Sequence, residues 1–416
     1  MTWRSYISTN HGHYNFCLLI AFLLPINKKY VPLVIAFYLL YAIFYSVRKK
    51  FFSFNKSNAF LLIPAVLYFL LFATMGSALD EVAAAKELEI KASMLVFPLL
   101  AFMTPKLTRV HVYKIINAFV FGCLIFLVFS VGYGIYRAHL FDSREYLTYS
   151  NLGIIYHPTY MALYQSLALS WLLLRGMTSE YFFRNKYVHW IVSFLIIGYI
   201  VLLASKAGLL TAIIAIVWSG IVAWRKGVIR RHVFAVSCTS LAALIVLIIS
   251  VPLTSDRIEA AASEISQTQT PGVVVQHEAK SSTELRSVTW SASWELMSKE
   301  PIGTGVGSAS TRLIEIYQRE GEFYAAERKL NSHNQFFQIG VEYGWAGLII
   351  FLIFLVLAAI KSFQIKSFMY QGLLGMTVFN FLFESCLEVQ AGVVFFYFFL
   401  MLFSSVEQNE SEKHCI

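Results

Sequence analysis

The chain has 416 residues, 58% of them hydrophobic and only 14% charged, with a formal net charge of +9. A water-soluble domain carries roughly a quarter charged residues, so composition excludes an ordinary soluble protein. Apolar runs near the ~18–20 residues needed to cross a bilayer recur along the chain, and no alternating ten-residue pattern suggests a transmembrane barrel. The reading is an all-α polytopic membrane protein. Five isolated cysteines without a C-x-x-C spacing indicate neither a metal site nor a disulfide framework. The basic residues gather in short loops between spans, which orientation in the membrane explains without a nucleic-acid partner.

Twelve transmembrane helices are predicted. The first nine are Tyr14–Ile26, Val31–Val47, Ala59–Ser77, Ala92–Thr104, Val112–Tyr136, Tyr160–Leu174, Val188–Ala204, Gly208–Trp224 and His232–Leu253. The last three are Asn334–Ile360, Ser367–Phe383 and Ala391–Ser404. The first apolar run is read as a retained helix, since no cleavage-site pattern precedes it. The chain thus divides into nine helices over 1–253, a long loop over 254–333, and three helices with a short tail over 334–416. Alternate short connections hold 17 and 7 lysines and arginines. The richer set marks the cytoplasmic side, so both termini are expected inside and the long loop outside.

Within that loop, Ser282–Lys299 reads as a helix, Pro301–Gly307 as a break, and Leu313–Leu330 as a second amphipathic segment. Both helices are expected on the bilayer surface or on the bundle. Thr254–Ser281 is rich in Ser, Thr, Gln and Ala. Ala78–Lys91 reads as a short surface helix. Residues 331–348, Asn-Ser-His-Asn-Gln-Phe-Phe-Gln-Ile-Gly-Val-Glu-Tyr-Gly-Trp-Ala-Gly-Leu, lead into the tenth span. Ser332 and Gln335 have the spacing of a capping box, which puts His333 in a first helical turn, where free N–H groups and the helix dipole favour an anion.

Four basic groups from distant parts of the chain fall at the outer boundary: His157, Lys206, Arg286 and His333. Such a cluster suits an extracytoplasmic diphosphate, with an imidazole as proton acceptor. Each also has a plainer reading. Lys206 can reach to headgroups, Arg286 can touch lipid phosphates, His157 before Pro158 can mark a helix start, and His333 can be an interfacial histidine satisfied by water. Glycines 303, 305 and 307 lack the Lys-Ser/Thr of a Walker motif and read as a sharp turn. No Asp-x-Asp, H-E-x-x-H or G-x-S-x-G pattern is present, so no metal is expected.

The 331–348 stretch resembles the O-antigen ligase and polymerase superfamily. So do Glu284-Leu-Arg-Ser-Val-Thr-Trp290, Glu300-Pro-Ile-Gly-Thr-Gly-Val-Gly307, Leu203-Ala-Ser-Lys-Ala-Gly208 and His157-Pro-Thr-Tyr-Met-Ala-Leu163. The resemblance implies a membrane glycosyltransferase fold of the GT-C-like type in the bacterial inner membrane. It implies transfer of a glycan from undecaprenyl diphosphate to an acceptor hydroxyl at the periplasmic face, without metal or other cofactor. The acceptor is lipid A-core for a ligase, or another lipid-linked glycan for a polymerase. It further implies His333 as general base and Arg286 as a diphosphate ligand. A second family arginine falls on Lys206, which keeps charge but loses the forked geometry; Arg137 or Arg144 is the alternative for completing the grip. Tyr160 and Asn334 are further candidate site contacts. A glycolipid flippase or exporter is the reading from another class, and it requires basic residues along a path through the bundle.

Overall fold

The computed structural model describes residues 11–54, 56–228 and 282–406. The predicted ninth span, the Thr254–Ser281 stretch and both chain ends lie outside the described residues.

The described chain is helical, and its one β-bridge joins Leu107 to Val406. The helices in order are α1 (His11–Ile26), α2 (Val31–Lys49), α3 (Leu62–Ala73), α4 (Glu81–Lys91), α5 (Ser93–Met103), α6 (Arg109–Leu140), α7 (Tyr149–Gly153) and α8 (Pro158–Met177). There follow α9 (Lys186–Leu202), α10 (Lys206–Arg225), α11 (Ser282–Lys299), α12 (Ala309–Arg319), α13 (Phe323–Glu327), α14 (Gln335–Gln364), α15 (Phe368–Phe381) and α16 (Gln390–Ser404). Among the described residues, five segments are long and apolar enough to cross a membrane: Val31–Lys49, Asn58–Ser77, Arg109–Leu140, Lys206–Arg225 and Gln335–Gln364. Shorter apolar helices run Gly12–Ile26, Lys186–Leu202 and Gln390–Ser404. The predicted fourth span is only 11 residues of helix with Pro98 inside it; at 1.5 Å per residue that is about 17 Å, short of the ~30 Å hydrocarbon layer.

Two helices make the centre. In α16 every residue from Ala391 to Ser404 is buried, and in α8 nearly every residue is. A helix apolar on all sides is a buried helix. Aromatic packing joins them to α6: Tyr164 stacks on Phe395 with centroids 4.7 Å apart, and Phe119 meets Phe399 edge-on at 4.9 Å. Tyr164 Oη donates to Ala391 O at 2.7 Å, which removes the cost of an unpaired buried hydroxyl.

The segment over residues 282–330 is built differently. The continuous amphipathic stretch expected over Leu313–Leu330 is broken into α12 and α13, because Gly321 takes φ +77° between them. A second apolar core, including Leu296, Met297, Leu313, Ile316, Tyr317 and Val341, seats α11, α12 and α13 on the opening turns of α14. The helix α14 itself bends at Gly344, whose φ of 68° and ψ of −170° are non-helical. The Pro301–Gly307 turn threads into that bend. Trp345 N–H donates to Pro301 O at 3.0 Å, and the N–H groups of Thr304 and Gly305 donate to Val341 O and Glu342 O at 2.8 and 3.0 Å. A Cβ at Gly303 would collide with Gly344, and one at Gly344 with Pro301 and Ile302. The glycine run therefore serves close backbone contact.

Candidate functional site

One end of the bundle gathers the start of α8, the start of α10, the kinked start of α14, the end of α15 and α11. The connection between α15 and α16, Leu382–Val389, lies among them. Small residues draw the helix starts together: Ser205 Oγ and Thr159 Oγ1 are 3.0 Å apart, and Asn380 Nδ2 donates to Thr211 Oγ1 at 2.7 Å.

His333 does not lie in a first turn. The N-cap is Asn334, whose Oδ1 accepts from Phe336 N–H at 2.9 Å and Phe337 N–H at 3.1 Å. The reason is competition: Asn is as good a cap as Ser, and the Ser332 hydroxyl instead accepts from Ser293 Oγ at 2.9 Å. His333 precedes the helix with φ +44°, a left-handed conformation rare for a residue with a Cβ. Its N–H donates to Asn331 Oδ1 at 3.0 Å, and that bond holds the backbone in its unusual form.

The side chains converge on a residue the sequence reading passed over. Glu384 Oε2 lies 3.4 Å from His333 Nδ1, and Glu384 Oε1 lies 3.4 Å from Arg286 Nη2. Arg286 Nε also donates to Phe383 O at 3.3 Å. Burial works against ionisation of Glu384, but the bond to His333 and the charges of His333, His157 and Arg286 hold its carboxyl below the ordinary value of 4.5. His157 faces the same group. Partial desolvation, with His333 and Arg286 nearby, lowers it from the ordinary 6.5, against the pull of Glu384. At neutral pH His157 is therefore an uncharged imidazole. His333 keeps 32% of its side-chain surface, against 10% for Glu384, and among the described residues its Nε2 has no partner.

The remaining candidates divide. Tyr160 is buried with its ring edge-on to His157, centroids 6.1 Å apart. Asn334 clamps the α15–α16 connection by donating to Leu382 O at 3.1 Å. Lys206 opens α10, directly after the Ser205 that meets Thr159; its side chain is exposed and makes no ion pair among the described residues. Arg137 is stacked on Tyr146, 4.0 Å from the ring centroid, and lies near Tyr133 and Phe141. Arg144 is exposed on the turn Arg144–Leu147. The structure does not join Arg137 or Arg144 to the Glu384 cluster.

A second polar cluster lies behind the first. Lys91 is not on a surface face of its helix: its side chain is 1% exposed. It pairs with Glu87 at 2.8 Å, with Glu388 at 2.9 Å and with Glu342 at short range. Burial opposes its charge, but the carboxylates of Glu342, Glu388 and Glu87 more than offset this and hold it well above the usual lysine range. The three carboxylates lie within 4.8 Å of one another, the grouping that would suit a divalent metal. The ammonium sits among them, with one N–H for each. The one signal of this in the sequence was charge placed beside or inside apolar runs, at Lys91, Glu342, Glu384 and Glu388.

At the opposite end, a cavity of about 530 Å³, counted to its open mouth, is lined by Arg109, Tyr113, Trp171, Lys366, Ser367 and Phe403 among others. Between the two ends the buried lengths of α8 and α16 fill the bundle.

Residues 191–352 match a family model described as O-antigen ligase. That stretch runs from α9 to beyond the Gly344 bend and includes Lys206, Arg286 and His333. A comparison with curated proteins gives no match.

Proposed function

Taking the chain as a member of the O-antigen ligase-like superfamily, we propose that it transfers a glycan from a polyprenyl diphosphate to an acceptor hydroxyl at the outer face of the bacterial inner membrane. The most specific form of the reading is an O-antigen ligase with lipid A-core as acceptor and undecaprenyl diphosphate as carrier. The observation that carries it is the meeting of His333 and Arg286 on Glu384, with His157 beside them and the His333 side chain about a third exposed.

Each residue then has a role its chemistry fits. Glu384 accepts from Nδ1–H of His333 and so fixes the tautomer whose Nε2 lone pair faces outward. The acceptor O–H gives its proton to Nε2 as its oxygen attacks the anomeric carbon. The bond from that carbon to the diphosphate oxygen breaks, and the diphosphate leaves with the electron pair. Direct displacement inverts the linkage. Arg286, aided by Lys206 at the head of α10, stabilises the charge growing on the leaving group. The 3.4 Å contacts of Glu384 to Arg286 and His333 are long for charge-assisted bonds.

The test is reconstitution of the purified protein with a synthetic polyprenyl-diphosphate glycan and two acceptors in parallel. Glycan appearing on lipid A-core supports the ligase. Glycan appearing only on a second lipid-linked glycan makes the protein a polymerase. Transfer to neither, with folded protein, refutes the reading. A flippase requires basic groups along a path through the bundle, whereas the buried lengths of α8 and α16 are mainly apolar and aromatic.

A further inference from the structure

The Lys91 cluster is joined to the His333 cluster by a closed circuit of side chains. Ser332, beside His333, donates to Gln338 Oε1 at 3.2 Å; Gln338 Nε2 donates to Glu342 Oε1 at 2.6 Å; Glu342 binds Lys91. From Lys91 the circuit passes to Glu388 at 2.9 Å, and Gln335 returns it to α14, accepting from Leu387 N–H at 2.6 Å and donating to Glu388 at 3.5 Å. Glu388 and Glu384 share one short connection. The third carboxylate, Glu87, accepts from Gly307 N–H at 3.0 Å, on the turn wedged into the Gly344 bend. Three separate pieces of the outer end thus meet on a single ammonium.

We propose that Lys91 is a positioning residue for His333: its ammonium stands where a divalent cation would stand among Glu87, Glu342 and Glu388, and holds the 384–388 connection against the opening of α14. This rests on the reading of His333 as the base. The physical reason is charge balance. Without the cation, three carboxyl groups within 4.8 Å of one another are left in a largely buried site without their common donor, and the elements bearing them separate. Removing one partner of a buried network costs far more than the network's net contribution. An arginine does not restore it, because a planar fork cannot replace a tripod of three N–H bonds.

The test uses the full chain in lipid nanodiscs. Hydrogen exchange is read over residues 382–389 and 335–345, and transfer is measured as kcat and KM separately. Lys91→Met is expected to speed exchange in both segments by about tenfold or more and to lower kcat at least as strongly, with KM nearly unchanged. Lys91→Ala leaves room for an ion, so millimolar Mn²⁺ should restore slow exchange and EDTA reverse it, while the wild type responds to neither. Pairing Lys91→Met with Glu342→Gln lowers the uncompensated charge and should recover part of the protection. If Lys91→Met does not fold, Glu388→Gln removes one arm and should loosen 382–389 selectively. Wild-type exchange and kcat in folded Lys91→Met, or no Mn²⁺ response in Lys91→Ala, would overturn the proposal. The exchange arm decides it even if the wild type shows no transfer, a result that would count against the functional reading alone.

Discussion

One end of the helix bundle holds two ionic clusters of opposite design. Around Glu384, basic groups surround a single carboxylate at 3.4 Å, and His333 remains a third exposed. Around Lys91, three carboxylates surround a single cation with contacts of 2.9 Å or less, and the cation is 1% exposed. The first is loose, and its imidazole is partly wet. The second is tight, closed around a buried cation and short of positive charge. A site that must admit an anion and exchange partners during turnover needs the first kind of arrangement; a joint that must not move needs the second. The two are linked through Glu384 and Glu388 on one short connection, so the rigid cluster sets the geometry of the open one.

The comparison can be broken in order of expected effect. Substituting His333→Ala should lower transfer by about 10²–10⁴-fold, the usual contribution of a general base, with little loss of folded protein, measured by steady-state assay and by thermal melting. Arg286→Lys keeps charge and should still cost about tenfold or more in kcat through loss of forked geometry; Arg137→Lys, in its aromatic stack, should cost little. Glu384→Gln keeps shape but removes the charge that orients the imidazole, and a loss similar to that of Arg286→Lys is expected. Gly344→Ala forces a side chain into a left-handed position against Pro301 and Ile302. A destabilisation of about 1–3 kcal/mol should appear as a lower melting temperature.

The smallest effect is on pH. The folded-state pKa of Glu384 lies below its ordinary 4.5, so its ionised form adds stability fully present above that value. The contribution disappears as pH falls through the folded value. Melting temperatures of wild type and Glu384→Gln should therefore differ at pH 6 and converge in strong acid. Equal differences at all pH values would mean that Glu384 acts by packing, not charge.

Much of this was legible in the sequence, and the limits have physical causes. Helix positions follow from apolar runs, and the Ser282–Lys299 helix appears with those bounds. His333, Arg286 and His157 were readable as basic groups in connections between apolar runs. The partner that unites them was not: Glu384 stands in a short interruption between two apolar runs, and pairing across 51 residues leaves no local pattern. Lys91 looked like the polar end of a surface helix, since its burial depends on Glu342, 251 residues away. The start of α14 lies two residues beyond the expected one because Ser332 and Asn334 are comparable caps, and tertiary bonding chose between them. The bend at Gly344 needed the Pro301–Gly307 turn as its complement.

The central claim is that His333 and Arg286 serve one outward-facing diphosphate site in different roles. The most direct measurement separates binding from chemistry, using a polyprenyl-diphosphate glycan with the wild type, His333→Ala and Arg286→Ala in nanodiscs. The account predicts that His333→Ala binds the donor as the wild type does but transfers almost nothing, while Arg286→Ala binds it at least tenfold more weakly. Wild-type transfer by His333→Ala, or undiminished donor binding by Arg286→Ala, would contradict it.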